Sequence, residues 1–408
     1  MRTVRTVRIG HRRRKGNTMR ETNGTNGTRA TGEPRGAGGL QALLDRRVGD
    51  GTVPGAVALI AREGQVETAA AGELARETPV RIASVGKPVT AAALLQLVDD
   101  GALALDDPVA RWLPELADPR VVRTPHAPVT DTVPAHRPVT VRDVMESRAG
   151  YGFAADFTLP ALAPLFAELA QGPPQPQQVA PPEEWTAALA GIPMLHQPGE
   201  AWLYNTCSDI QGVLIARAAR QPLDQVLTER LFEPLGMPDT AFHAPPGRLP
   251  PLYRPGPDGT LEVADPPDGQ WSTPPPFPSG AGGLVSTLDD LFTFLRMLRA
   301  GGRAEDGRRV LSLGAVRLMT TNHLTERQRA DSELFLERQG WGYGGSVDVV
   351  RREPWNTPGR YGWVGGTGTA AHLVRRTGLV TVLLTQREMT GPTAPPLMRE
   401  FWSYAAGG

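Results

Sequence analysis

Strand-like sequence stands at the two ends of this chain, with helical sequence between. Early on, AVALIAREGQVETAAAGE reads as two strands folded about a Glu63-Gly64 turn. Late on, runs near 341 to 350, 361 to 374 and 379 to 386 have strand character. A lone hairpin leaves its edges unpaired, so the simplest packing joins the early and late strands in one sheet and makes the middle an insertion. The expected fold class is α/β (α+β), an antiparallel β-sheet flanked by helices with an inserted all-α region. We expect one domain over 39–408, with its sheet region at 39–115 and 280–408 and its helical region at 116–279.

The helical stretches are QALLDRRVGDG, KPVTAAALLQLVDDG, TCSDIQGVLIARAAR, LDQVLTERLFEPLG and TLDDLFTFLRMLRAGG. The second follows Ser84, reads as amphipathic and stops at Gly101, a natural left-handed C-terminal residue. The last begins with Thr287 as cap and acids in its first turn. Proline-rich stretches around 172 to 182 and 244 to 278 read as long loops. Residues 1–38 carry an arginine cluster and NGTNGT without apolar periodicity, so a disordered basic tail is expected there. No apolar segment follows the arginines, which favours a solvated tail over an export signal and makes the two glycosylation sequons chance matches.

Several function classes fall away on composition. Forty-three basic residues balance 43 acidic ones, so no global field would draw in nucleic acid, and no nucleic-acid partner is expected. No apolar run approaches the roughly 18 residues that span a bilayer, so no membrane insertion is expected. The one cysteine, Cys207, excludes an intramolecular disulfide or a cysteine zinc site, reads as a small packing residue, and fits a reducing, cytoplasmic setting. His126, His136, His196, His243, His323 and His372 lie far apart without metal spacing and read as surface or loop residues, so no metal is expected. Gly340, Gly342 and Gly345, and again Gly366, Gly368 and Ala371, match dinucleotide spacing, yet strand sequence follows each. A pyrophosphate would find no helix N-terminus there, and no cofactor is expected.

Lysine usage is the sharpest clue to chemistry. Of 43 basic residues only Lys15 and Lys87 are lysines, which leaves 41 arginines. A chain that meets its need for positive charge with arginine keeps a lysine where an amine must lose a proton. Ser84-Val85-Gly86-Lys87 sets a hydroxyl and that amine about one turn apart at a helix start, and a base beside a serine makes it a nucleophile. Pro88 fits only the first turn, which leaves amides near Ser84 free to bind an oxyanion. Tyr204, after Pro198-Gly199-Glu200-Ala201-Trp202-Leu203, is a candidate proton carrier. Tyr361 to Thr369 is a glycine-rich strand edge whose backbone can approach a ligand.

In these motifs the chain resembles the serine β-lactamase and penicillin-binding-protein superfamily, in its class C-like branch with the family VIII carboxylesterases. The resemblance runs from about 40 to 405 through Ser84-x-x-Lys87, VTVRDVMESRAGYG, PGEAWLYNTCSDIQG, SGAGGLVSTLDDLFTFLRML and Trp363-x-Gly365. It implies a β-lactamase/transpeptidase-like fold, Ser84 as acylated nucleophile, Lys87 as its proton acceptor and Tyr204 as proton shuttle. The amides of Ser84 and Gly366 would form the oxyanion hole, with Asn205, Thr206, Trp363 and Gly365 about the substrate. Two departures stand out. The family's Tyr-x-Asn reads Tyr204-Asn205-Thr206, so the amide that holds the lysine is expected to be displaced or replaced by Thr206. Trp363 stands where β-lactamases of this type carry a lysine, so no cation awaits a β-lactam carboxylate. A small-molecule ester, or an amide, is thus the expected substrate and carboxylesterase the expected activity. The alternatives are a β-lactamase or DD-peptidase, an acyltransferase, and a catalytically weakened ligand-binding homologue.

Overall fold

The computed structural model describes residues 38–407. The basic tail expected over 1–38, with its arginines and sequons, lies outside the described residues apart from Gly38. Seven strands form one antiparallel sheet. The early hairpin is β1 (Gly55–Arg62) and β2 (Gln65–Gly72); the late strands are β3 (Gly340–Trp341), β4 (Ser346–Val347), β5 (Arg360–Gly365), β6 (Thr369–Val374) and β7 (Leu379–Thr385). Their order is β2-β1-β7-β6-β5-β4-β3, so the two ends of the chain meet at the β1–β7 pair, Ala56 facing Thr385 and Ala61 facing Val380. Glu63 and Gly64 close the hairpin with φ of 50° and 83°, a two-residue turn whose twist suits the strands.

β1 is apolar from Ala56 to Ala61 instead of alternating, because helices cover the sheet on both faces. Ala56, Ala58 and Ile60 pack with Leu40 and Leu44 of α1 (Gly39–Gly49) and with Phe401 and Trp402 of the C-terminal helix Pro396–Ala406. Val57, Leu59 and Ala61 face the larger core with α2 (Lys87–Asp99), α3 (Thr206–Ala219) and α4 (Leu288–Arg299). Every residue from Lys87 to Leu97 is buried, so α2 is a central helix and not the amphipathic one expected. Ala91, Ala92 and Ala93 keep its girth small enough to sit between the sheet and α3. It does end as expected at Gly101, with φ of 72°. The Thr287 hydroxyl caps α4 by accepting from the Asp290 amide at 3.3 Å.

The middle region contains helices, among them Val141–Met145, Pro182–Gly191 and α3, but it is not all-α. Arg120–Val122 pairs with Thr132–Pro134, and Leu252–Pro255 with Leu261–Asp265. The second hairpin lies inside the stretch read as loop, turning at Pro257-Asp258-Gly259 with the Gly256 amide donating to the Thr260 carbonyl at 2.7 Å. The buried Arg81 guanidinium ties that stretch to the sheet domain, donating through Nε to Asp265 Oδ2 at 2.8 Å and through Nη1 to the Pro250 carbonyl at 2.7 Å.

Both glycine patterns run into strands, β4 and β6, as the sequence requires for rejecting a dinucleotide loop. The histidine expectation needs correction at His372, while His323 lies in a loop as expected. His372 is buried on β6 against Trp402, and burial pushes its imidazole well below its ordinary pKa. His323 is half-buried, stacked on Tyr343 with ring centroids 4.6 Å apart. No helix among the described residues is long and apolar enough to cross a membrane.

Candidate active site

Ser84 sits in a single turn, Ala83–Gly86, that runs directly into α2. Ala83 before it has φ of 45°, a conformation an alanine adopts only when its surroundings impose it. The end of β5, the turn after it and the start of β6 supply that constraint. The hydroxyls of Thr367 and Thr369 donate to the Arg81 and Ile82 carbonyls at 2.5 and 2.9 Å. A Cβ at Gly365 would lie 2.3 Å from the Ile82 carbonyl oxygen, so only glycine lets strand and turn approach this closely. Gly365 therefore backs the nucleophile turn, while Gly366, one residue on, lines the cleft. Among the described residues no hydrogen bond engages the amides of Ser84 or Gly366.

Lys87 is the first residue of α2 and is 1% exposed. Its Nζ lies 2.8 Å from Ser84 Oγ, 3.0 Å from Asn205 Oδ1 and 2.6 Å from the Ala281 carbonyl oxygen. Burial drives the amine below its ordinary pKa, opposed by Tyr204 and by the Asp209 carboxylate. The amine also stands 4.8 Å from the centroid of the Tyr204 ring.

Tyr204 is fixed by a two-way backbone bridge with Phe153, each amide donating to the other's carbonyl at 2.9 Å. Its phenol oxygen accepts from Trp363 Nε1 at 2.8 Å. The indole of Trp363, expected to leave the site without a cation, is thus a donor to the candidate proton carrier.

The expected displacement of the amide from Lys87 does not occur. Asn205 has φ of 80° and ψ of −66°, and the Thr206 amide donates to the Tyr204 carbonyl at 3.2 Å. This is a γ-turn of the rare positive-φ kind, and it swings the residue next to the tyrosine back onto the lysine. Thr206 is fully buried and its hydroxyl donates to Gln171 Oε1 at 3.0 Å, so it does not meet the cleft as expected.

Two residues absent from the sequence reading complete the site. Asn205 Nδ2 donates to Gln171 Oε1 at 3.0 Å, and Gln171 Nε2 donates to Asp209 Oδ2 at 2.9 Å. Asp209 Oδ1 accepts from Ser279 Oγ at 2.6 Å and from the Ala281 amide at 3.1 Å, and the Ala281 carbonyl returns the path to Lys87. The ring is closed, and it orients the amine from below. Burial raises the Asp209 pKa, while the hydrogen bonds and the lysine charge pull it down. A sequence signal existed for Asp209, four residues after Asn205 at a helix start, but none for Gln171 beside the proline-rich stretch. Cys207 is buried with its thiol pushed up to about 12, which suits packing and not nucleophilic chemistry.

These groups open on a cleft of about 410 Å³ between the sheet and the helical middle. Phe153, Phe157, Phe166, Trp363 and Phe335 make much of its wall, and among the described residues no lysine, arginine or histidine lines it. An antiparallel sheet carrying a helical insertion, with serine, lysine and tyrosine converging at their seam, defines a class of acyl-transfer fold. The family model described as Beta-lactamase matches residues 40–400, and the chain belongs to that family. Protein Rv1367c of Mycobacterium tuberculosis is 39% identical over 309 residues, 72% of this chain and 74% of that protein. Esterase EstB of Burkholderia gladioli is 28% identical over 387 residues, covering 87% and 92% of the two chains. Among solved structures, EstCE1, described as a hydrolase with promiscuous acyltransferase activity, superposes with a TM-score of 0.72 at 22% identity, over 90% of this chain and 97% of that one.

Proposed function

We propose that the chain is a serine carboxylesterase working through an acyl-enzyme on Ser84. The observation that carries this reading is the buried amine 2.8 Å from the serine hydroxyl, held below its ordinary pKa by desolvation. As a neutral amine Lys87 takes the Ser84 proton while Oγ attacks the ester carbonyl. The free amides of Ser84 and Gly366 receive the oxyanion. Tyr204 then passes its proton to the leaving alcohol oxygen as the C–O bond breaks and is reprotonated by Lys87, which gives up the proton taken from Ser84. Water attacks the acyl-enzyme in the second half, giving its proton back through the same groups and releasing the acid.

An ester is favoured over a β-lactam because no cation among the described residues lines the cleft. A substrate carboxylate placed beside Trp363 would lose water without gaining a partner, which weakens binding by several kcal/mol. The likeness to a named esterase over most of both chains points the same way.

The test is intact-mass measurement after treatment with a fluorophosphonate. One adduct on the wild type, absent from Ser84→Ala, is the expected result. Labelling that persists in Ser84→Ala would overturn the proposal.

A further inference from the structure

The cleft has an aromatic wall that the acylation chemistry does not use. Phe335 stacks on the Tyr204 ring with centroids 4.9 Å apart, Phe157 follows at 6.1 Å from Phe335, and Phe166 lies 6.5 Å beyond, itself stacked on Phe153 at 4.9 Å. Phe157 is 46% exposed and Phe166 38%, so large apolar faces stand in water at the mouth of a catalytic cleft. Phe157 is held there. Thr158 donates through its amide to Asp156 Oδ1 at 2.9 Å, a local turn that fixes the loop with the phenylalanine projecting. Leaving two phenylalanines partly wet forfeits burial free energy that a ligand of matching chemistry would recover.

Tyr204 decides which half of the substrate reaches this wall. In the acylation step proposed above, on which this inference rests, the leaving oxygen must lie within hydrogen-bond reach of the Tyr204 phenol. Whatever is attached to that oxygen therefore extends past Tyr204, and the surface stacked on Tyr204 is Phe335 and then Phe157. The acyl carbon chain departs from the carbonyl in another direction. The wall's own rings carry no charge, and no basic residue among the described ones lines the cleft beside them, so the wall offers nothing to a phosphate or carboxylate.

We infer that the Phe335–Phe157–Phe166 wall is the subsite for the alcohol half of the ester, and that this alcohol is large, uncharged and aromatic or alicyclic.

Three esters with alkanol leaving groups of closely similar basicity test this: propyl acetate, 3-phenylpropyl acetate and propyl 4-phenylbutanoate, each followed by acid release. The 3-phenylpropyl ester is expected to exceed propyl acetate in kcat/KM by about 10-fold or more, as burial of a phenyl ring allows. The phenylbutanoate should gain less. In Phe157→Ala and Phe335→Ala the ratio of 3-phenylpropyl to propyl acetate should fall towards one. Phe157 is half-exposed, so that variant should remain folded, and circular-dichroism melts verify it. A preference carried by the phenylbutanoate and lost in the same variants would make the wall the acyl subsite and overturn the inference. Equal kcat/KM for the two acetates would also overturn it while leaving the esterase reading intact. Failure to hydrolyse any of the three would overturn both.

Discussion

The two sides of the cleft are built on opposite terms. Beneath the serine, Lys87, Asn205, Gln171 and Asp209 are buried or half-buried polar groups closed into a ring of hydrogen bonds. Across from them, Phe157, Phe166 and Phe335 are apolar, and two of the three stand partly in water. A buried polar ring tolerates little change, because removing one member strands the others without solvent. An apolar wall loses area gradually as atoms are removed. On the proposed reading, reaction chemistry and substrate choice fall to regions with different tolerance to substitution, and that division can be tested.

The largest effect should come from Lys87→Arg. A guanidinium keeps the charge but cannot accept the serine proton, so kcat/KM on p-nitrophenyl acetate should fall about 10³-fold. A variant that kept most of its rate would remove the base from the polar side. Next comes substrate ranking. Wild type should turn over p-nitrophenyl acetate with kcat/KM about 10²-fold above nitrocefin, and Trp363→Lys should raise β-lactam affinity. Equal values in the wild type would undo the contrast between an uncharged wall and a β-lactam site.

Asp209→Asn keeps an oxygen that can accept from Ser279 and Ala281 but sets an amide donor against Gln171 Nε2, so it removes the carboxylate charge at the cost of one hydrogen bond of the ring. The carboxylate favours the ammonium form of Lys87, so its removal lowers the lysine pKa further. The base then stays deprotonated to lower pH, and the acid limb of the kcat/KM profile should move down by about one pH unit. An upward shift would reverse the sign of the coupling. The smallest contrast is in stability. Gln171→Ala orphans Asn205, Thr206 and Asp209 at once and should cost about 1–3 kcal/mol in chemical denaturation. Phe157→Ala, half-exposed, should cost less than about 1 kcal/mol.

The sequence reading found the sheet because hairpin and late strands carry their own turn and propensity signals, and both ends needed partners. It read α2 as amphipathic, although its polar residues Lys87, Thr90 and Gln96 are spread around the helix. In the fold each is instead buried, Thr90 donating to the Gly280 carbonyl at 2.8 Å and Gln96 to the Arg230 carbonyl at 2.8 Å. The 244 to 278 stretch was read as loop on its prolines, though Asp258-Gly259 was a hairpin signal inside it. Ser84 and Lys87 were legible from spacing and rarity alone, and Tyr204 only once its surrounding motif was taken with it. Asn205 was not legible, since its reach to Lys87 depends on a backbone angle that propensity argues against. The aromatic wall was hidden for another reason. Phe157 and Phe335 are remote in the chain, and nothing local marks either as a neighbour of Tyr204.

Lys87 is the one lysine among the described residues, and the chain's other, Lys15, lies outside them. Spectroscopy gains from that scarcity. Uniform isotopic labelling of lysine would put a reporter on two side chains, and a Lys15→Arg form would leave a single resonance from the amine beside Ser84. Its chemical shift followed against pH, in the free protein and again after acylation, would read the protonation of that amine directly, without passing through a rate.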